Sequence, residues 1–422
     1  MAAIELGYGN RSVTFEYDEA LSRVLAPDDR EARPLADAEI GSALDDPIGS
    51  PPLEEIVQPG ETVLLVVSDA TRATASAQVV NLLVRRLIQS GINAGDMAII
   101  VATGIHRAPT DNEKRDLLTP FIVQRIRIIE HDAHDAASLT QLGITERGTP
   151  IVVNQALKDF SRVILTGAVG FHYFAGFTGG RKSICPGLAS AQTIKATHML
   201  ALDFASGGRR AGVGAGRLEG NAVHEECERV AAMINPSFIV NTIVDERGRA
   251  LRVFAGDWRG AHRRACDEYR AAHSVQISEK RPLVVASCGG SPYDINLIQA
   301  HKALDMAAHA CEKGGSIILL AECRDGLGRA DFLQWFESTD SEELERRLKD
   351  NYEVNGQTAW ALLSKAEAFR VHLVSSLSEA DVRKMRMIPA RSLEEALAET
   401  DHGGPAYIMP RGSSTLPVGA TT

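Results

Sequence analysis

Three apolar, valine-rich runs in the first half of the chain each end in side chains able to move protons or hold anions. The run 61–68 leads into Asp69, Thr71 and Arg72, the run 97–102 into His106 and Arg107, and the run 162–166 into His172. If these runs are strands of one open α/β sheet, the residues gather beyond its carboxyl edge, where ligands of such sheets bind. A lone histidine is more often a hydrogen-bonded structural residue than a catalyst. Two imidazoles leaving neighbouring strand ends make a better acid–base pair, because the ring titrates near neutrality and can give or take a proton. A reaction that works on both faces of a substrate needs two such groups.

The stretch GFHYFAGFTGGRKSICPG, residues 170–187, adds a second chemistry. Its GFTGGRKS portion approaches the phosphate-loop pattern, but Arg181 stands where the second glycine belongs, which leaves a nucleotide-hydrolysing kinase as a weak reading. The physics of the segment survives. Gly179 and Gly180 expose backbone N–H groups, and Arg181 and Lys182 add charge, so an anionic or phosphorylated ligand is expected. GVGAGRLEG at 212–220 has neither the dinucleotide-binding spacing nor a strand before it. Cys185 could be a low-pKa nucleophile near Lys182, although packing beside the Pro-Gly that follows is the simpler role. Farther along, His198 lies in the helical pattern AQTIKATHML. It is either core or an exposed imidazole able to bind a soft or borderline metal. Gln299 and Lys302 lie three apart on a helix starting near Asn296, which puts both on one face near its amino end.

The elements that must position these groups follow from the apolar pattern. AQVVNLLVRRLIQSG reads as an amphipathic helix after the first run, and PTDNEKRDLL opens another with Thr110 or Asp111 as its cap. RIRIIEHDA (125–133) and TPIVVNQAL (149–157) bring the expected strands to five, in a mostly parallel, doubly wound sheet. Residues 187–272 read as largely helical, with the clearest helix at 218–234, except for a β-hairpin at 238–257 that turns between Asp245 and Gly248. A new strand pattern then sets a boundary near 275–281. The expected organisation is two α/β domains, 1–275 and 281–412, with the active site in the cleft between them and the tail 413–422 returning to the first. A net charge of −10 argues against a nucleic-acid surface, which needs a concentrated basic face. Six scattered cysteines without a CxxC pair, no signal-like amino terminus and no bilayer-length apolar run point to a cytoplasmic protein with no membrane partner.

Taken in order, Asp69-Ala-Thr71-Arg72, Gly104-Ile-His106-Arg107, Gly170-Phe-His172, Gly179-Gly180-Arg181-Lys182-Ser-Ile-Cys-Pro-Gly187, His198 and Gln299-x-x-Lys302 resemble the nickel-dependent lactate racemase family over essentially the whole chain. The resemblance implies a nickel pincer nucleotide, a pyridinium-3,5-bisthiocarboxylic acid mononucleotide, as cofactor. Lys182 would be the lysine that can bind it covalently, and His198 the protein ligand to nickel. His106 and His172 would be the acid–base pair, and Arg72 and Lys302 would meet the substrate carboxylate with Gln299 assisting. Asp69, Thr71 and the glycine loop with Arg181 would hold the cofactor or orient the histidines. The implied chemistry is hydride transfer from a 2-hydroxyacid through a 2-keto acid, and the implied partners are that small molecule and the cofactor-synthesis enzymes. A non-catalytic cofactor-binding protein is the competing reading from another class, and the two histidines speak against it. The sequence departs from the lactate pattern at Ile298, where those racemases carry Tyr, and at Thr358, which falls at a Trp position with Trp360 close by. Loss of aromatic walls predicts a substrate larger than lactate, such as malate; lactate itself is the alternative.

Overall fold

The computed structural model describes residues 1–28, 32–400 and 403–419. It divides into two compact units: a central unit of residues 31–201 and 211–269, and a terminal unit of 1–30, 202–210 and 270–422.

The central unit is built on a six-stranded sheet. Its strand order is Ala250–Gly256, Phe238–Val244, Arg162–Ala168, Val63–Ser68, Met97–Ala102, Arg127–Ile129. All neighbours run parallel except the edge hairpin Phe238–Val244/Ala250–Gly256, which closes through the expected turn with Gly248 N–H donating to Asp245 O. Val63–Ser68 buries its first five residues, as a strand covered on both faces must. The helix Ser76–Gln89 buries Val79, Val80, Leu83, Val84 and Leu87, one stripe at helical spacing, into a core with Leu65, Val67, Ile99 and Val101. Thr110 caps the next helix, Asp111–Arg125, and Glu113 closes the capping box.

The terminal unit carries an all-parallel six-stranded sheet in the order Ile388–Ala390, Arg370–Val374, Cys311–Leu320, Arg281–Ser287, Ala406–Met409, Ser22–Val24. The helix Leu297–Ala310 follows Arg281–Ser287, and the Asn296 side chain caps it by accepting the Gln299 N–H at 3.0 Å.

Five expectations about organisation need correction. The amino terminus belongs to the terminal unit, not to the domain that follows it: Ser22–Val24 adds a parallel strand beside Ala406–Met409, and Gly9 N–H donates to Asp294 Oδ2 at 2.7 Å. Residues 202–210 also join that unit, tied by an Arg209–Asp305 ion pair of 2.8 Å and by Gly208 N–H to Glu345 Oε2 at 2.8 Å. The described part of the tail belongs to the terminal unit, not to the central one. Its strand Leu416–Gly419 pairs in parallel with Ser274–Ile277, and residues 420–422 lie outside the described residues. Within the central unit, Pro150–Asn154 is not in the main sheet but forms a separate antiparallel pair with Leu139–Ile144. The span 200–220, expected to be helical, is a series of turns.

Candidate active site

Val63–Ser68 lies between Met97–Ala102 and Arg162–Ala168 in the sheet, all parallel, so Asp69, the 103–107 loop and the 169–187 segment leave the same carboxyl edge. The expected gathering of three strand ends is met. Gly104 N–H donates to Gly187 O at 2.8 Å, which ties the His106 loop to the end of the 170–187 segment.

Asp69 is buried and receives the Thr71 hydroxyl at 2.6 Å and the Thr71 N–H at 3.1 Å on Oδ1, while Oδ2 faces His106 Nδ1 at 2.7 Å. Burial pushes the Asp69 carboxyl up, but hydrogen bonds from His106 and Thr71 outweigh it and hold the group below its ordinary value. The carboxylate is ionised, so the imidazole donates to it from Nδ1. Half the His106 ring is exposed. Thr71 is thus a support for Asp69. Arg72 is exposed beside it, and its charge helps to hold the carboxylate ionised.

The segment that follows Arg162–Ala168 doubles back through the short pair Phe171–His172 and Gly176–Phe177. His172 is half-buried, with the Phe174 ring edge-on at 4.4 Å and Tyr173 stacked at 5.4 Å. Its Nδ1 accepts the Ala175 N–H at 3.2 Å. Gly179 and Gly180 both have positive φ, and a Cβ on Gly180 would sit 2.5 Å from the His262 ring, so this turn admits only glycine. Arg181 departs from its expected place as an anion contact. Its side chain is buried, and the guanidinium donates to three loop carbonyls, Ala175 O at 2.8 Å, Phe177 O at 3.0 Å and Gly179 O at 3.3 Å. It is a strut inside the loop, because five donors in a planar fork can serve several carbonyls that converge on one point.

His198 lies near the end of the helix Ala191–Met199 and is buried, not exposed as a surface ligand would be. The Thr197 hydroxyl lies 3.0 Å from both the Thr193 and Ile194 carbonyls, so its proton points to them and its oxygen accepts from His198 Nδ1 at 3.3 Å. That leaves Nε2 as the unprotonated nitrogen. Burial first, and then the Lys182 charge, pull His198 down to about 3, so the ring is neutral at any ordinary pH. The Lys182 ammonium stands 5.6 Å from the Phe174 ring centre, and His198 stands 5.0 Å from the same ring. Among the described residues no three His, Cys, Asp or Glu side chains converge on a metal position. A neutral imidazole with a fixed tautomer suits a borderline metal that brings its other donors with it, and the adjoining lysine suits an anionic or electrophilic carrier of that metal. The residues present therefore fit a metal held mainly by an organic cofactor. Cys185 does not fit a nucleophile: a hydrogen bond with Cys227 and burial push its thiol well above the ordinary value. All six cysteines are buried.

In the terminal unit, Lys302 Nζ donates to Gln299 Oε1 at 2.6 Å, so the two residues do share one helix face. Ile298, next to them, lies against Gly328, where an added Cβ would come within 3.2 Å of Ile298 Cδ1. Thr358 and Trp360 are buried on the helix Val354–Ala368. A cavity of about 470 Å³ in this unit is lined by residues 325–330, Leu377 and Asp381 and contains none of the expected site residues. Sequence reasoning missed Thr197, which sets the His198 tautomer, and the inward role of Arg181. The Thr-His dipeptide one turn from a helix end was the only available signal for the first.

Residues 8–208 match the lactate racemase N-terminal domain and residues 277–407 the lactate racemase C-terminal domain. The chain is 30% identical over 429 residues to the lactate racemase of Thermoanaerobacterium thermosaccharolyticum, covering 99% of each chain. It is also 30% identical to that of Lactiplantibacillus plantarum, covering 94% of each. The apoprotein structure of the Thermoanaerobacterium enzyme superposes with a TM-score of 0.90 at 28% identity, covering 99% of this chain and 100% of that one. A Thermotoga maritima protein at 19% identity and a TM-score of 0.68 shares the fold. A mostly parallel two-unit α/β chain with these relatives is an isomerase of the racemase class. It belongs to the lactate racemase family.

Proposed function

We propose that this enzyme racemises or epimerises a 2-hydroxyacid larger than lactate, with a nickel pincer nucleotide as its resident cofactor. The observation that carries the reading is the anchoring of His106, His172 and His198, each through Nδ1, in one unit that also holds Lys182. His198 would ligate nickel, Lys182 would anchor the nucleotide, and Gly179 and Gly180 would lie by its anionic part. When bound, this group supplies an acceptor that can take a hydride and give it back. The protein's own share is binding and the proton. Arg72 would neutralise the carboxylate, and in the terminal unit Gln299 steadies the Lys302 ammonium. An imidazole takes the hydroxyl proton while the carbon loses its hydrogen with the C–H electron pair, which leaves a 2-keto acid. Return of that hydrogen with its electron pair to the opposite face of the carbon, and of the proton to oxygen, inverts the centre with no net change in atoms or electrons. Hydride chemistry is favoured on physical grounds, since an α-proton beside an ionised carboxylate is very weakly acidic and its removal as a proton would create a doubly charged enolate.

Substrate size rests on Ile298 and Thr358, where the lactate pattern has bulkier aromatic residues; that difference favours malate, another longer 2-hydroxyacid or a sugar acid. The test is protein produced with the cofactor-synthesis enzymes and offered a panel of single enantiomers, read by chiral chromatography. Racemisation of a longer acid in preference to lactate is expected, and lactate as clearly the best substrate would overturn the size reading. In deuterated water the α-position should stay mostly unlabelled. Rapid exchange there rejects hydride transfer.

A further inference from the structure

Asp305 lies past the middle of the helix Leu297–Ala310 and is buried. Its Oδ1 meets two cations from separate segments, Lys365 Nζ at 2.6 Å and Arg209 Nη2 at 2.8 Å. Its Oδ2 is buried with no hydrogen-bond partner among the described residues. Burial pushes this carboxyl up, but the charges of Arg209 and Lys365 outweigh it and hold the group well below its ordinary value. Lys365 comes from the helix Val354–Ala368 and also donates to Ala361 O at 3.3 Å. Arg209 comes from the loop 202–210, which closes on itself through Asp203 N–H to Gly208 O at 2.9 Å and Gly207 N–H to Asp203 O at 2.7 Å. All three segments belong to the terminal unit. A buried ionic cluster of this kind adds little net stability, because desolvation offsets much of the attraction. What it fixes well is geometry.

The helical repeat carries that geometry along both helices. Ile298 and Asp305 are seven residues apart, and so are Thr358 and Lys365. Seven residues make about two turns, so each pair lies on one stripe of its helix. A turn of either helix at the ion pair therefore turns the residue two turns earlier by the same angle. Resting on the reading that Ile298 and Thr358 set substrate size, we infer that Asp305 is a positioning residue for selectivity. By holding Lys365 it locks the rotational register of the two helices that carry those positions. Ile298 has a further stop in Gly328, where an added Cβ would stand 3.2 Å from Ile298 Cδ1 and 2.9 Å from Asn296 Cγ. The Arg209 contact holds the loop 202–210, which carries neither size position, so selectivity does not depend on it.

Lys365→Met is the main variant, because it leaves Arg209 on the Asp305 carboxylate and so strands no buried charge. In cofactor-loaded enzyme, kcat/KM for a longer 2-hydroxyacid relative to lactate should fall about tenfold, through KM more than kcat. Lys365→Arg keeps a donor for Asp305 and should restore most of that ratio. Arg209→Met should leave the ratio unchanged. Hydrogen exchange of the full-length, cofactor-free protein gives a reading that needs no activity. Exchange should accelerate in peptides covering 297–304 and 354–364 in Lys365→Met, and in 202–210 alone in Arg209→Met. A Lys365→Met protein with lowered Tm but an unaltered ratio overturns the inference, since a merely structural contact would act in that way. A ratio that moves as far in Arg209→Met, or unaltered exchange in both helices, overturns it as well. Wild-type loaded enzyme that inverts neither acid, with the exchange changes as stated, overturns the racemase reading instead.

Discussion

Arg181→Lys separates a structural strut from a ligand contact. In the structure the guanidinium is buried and reaches the carbonyls of Ala175, Phe177 and Gly179 from two different nitrogens at 2.8–3.3 Å. Burial alone pulls its ionisation below the usual arginine value. Lysine keeps the charge but offers it from one atom, so at least two of the three contacts are lost. A hydrogen bond to a charged group contributes about 1.5–3 kcal/mol, and relaxation recovers part of that, which gives an expected loss of ~3 kcal/mol. For a unit of this size the loss lowers Tm by about 6–12 °C. Arg181→Met removes the buried charge as well as the contacts, and the relief of desolvation should offset part of its cost, so methionine should destabilise no more than lysine. The assay is thermal and urea unfolding of cofactor-free protein, with hydrogen exchange followed in peptides covering 170–182. Exchange should accelerate there before it does in the sheet strands. Apoprotein stability changed by less than ~0.5 kcal/mol in Arg181→Lys, together with poor cofactor uptake, would refute the strut and restore Arg181 as an anion contact.

Acid should destabilise the central unit through its buried histidines. Burial first, then the Arg181 charge, holds His262 at about 3 and His224 at about 2. A base with a depressed folded-state pKa contributes stability that is complete above the ordinary histidine value near 6.5 and is lost as pH falls toward the folded value. Each ring should therefore remove about 1.4 kcal/mol per pH unit below ~6. His262→Asn should flatten the stability–pH slope between about pH 4.5 and 6 by one proton, and an unchanged slope removes His262 from the account. Lys182→Ala should abolish any covalent cofactor adduct in intact-mass spectra without altering the apoprotein's unfolding. Thr197→Val should lower nickel retention roughly 10–100-fold on dialysis, because the His198 tautomer loses its support; full retention would show that Nδ1 is held some other way. Ile298→Tyr should shift relative kcat/KM toward lactate over longer acids by about tenfold, and no shift would place substrate selection elsewhere.

What was legible in the sequence divides by physical cause. Strands such as Val63–Ser68 and Met97–Ala102 announced themselves because burial on both faces demands an unbroken apolar run, and the residues just past them had to fall at one sheet edge. The helix Val354–Ala368 did not, because it is buried on almost every side from Gly356 to Leu363 and so carries no amphipathic stripe to read. Contacts between distant segments were likewise invisible. Nothing local in Ser22–Val24 says that it will pair with Ala406–Met409, and a short strand recruited by a sheet edge owes its place to the partner. The site repeats the contrast at the scale of single atoms. The types His106, His172 and His198 could be read as acid–base or metal-binding groups, but their roles depend on which nitrogen carries the proton. Each of those protons is fixed by a neighbour with no catalytic look of its own: Asp69, the Ala175 peptide and the Thr197 hydroxyl. The Ala175 peptide depends in turn on Arg181, a residue that sequence spacing assigned to the ligand and that folding turned inward. A motif therefore specifies which chemistry a chain can attempt, and the backbone around it decides how each of its side chains is held.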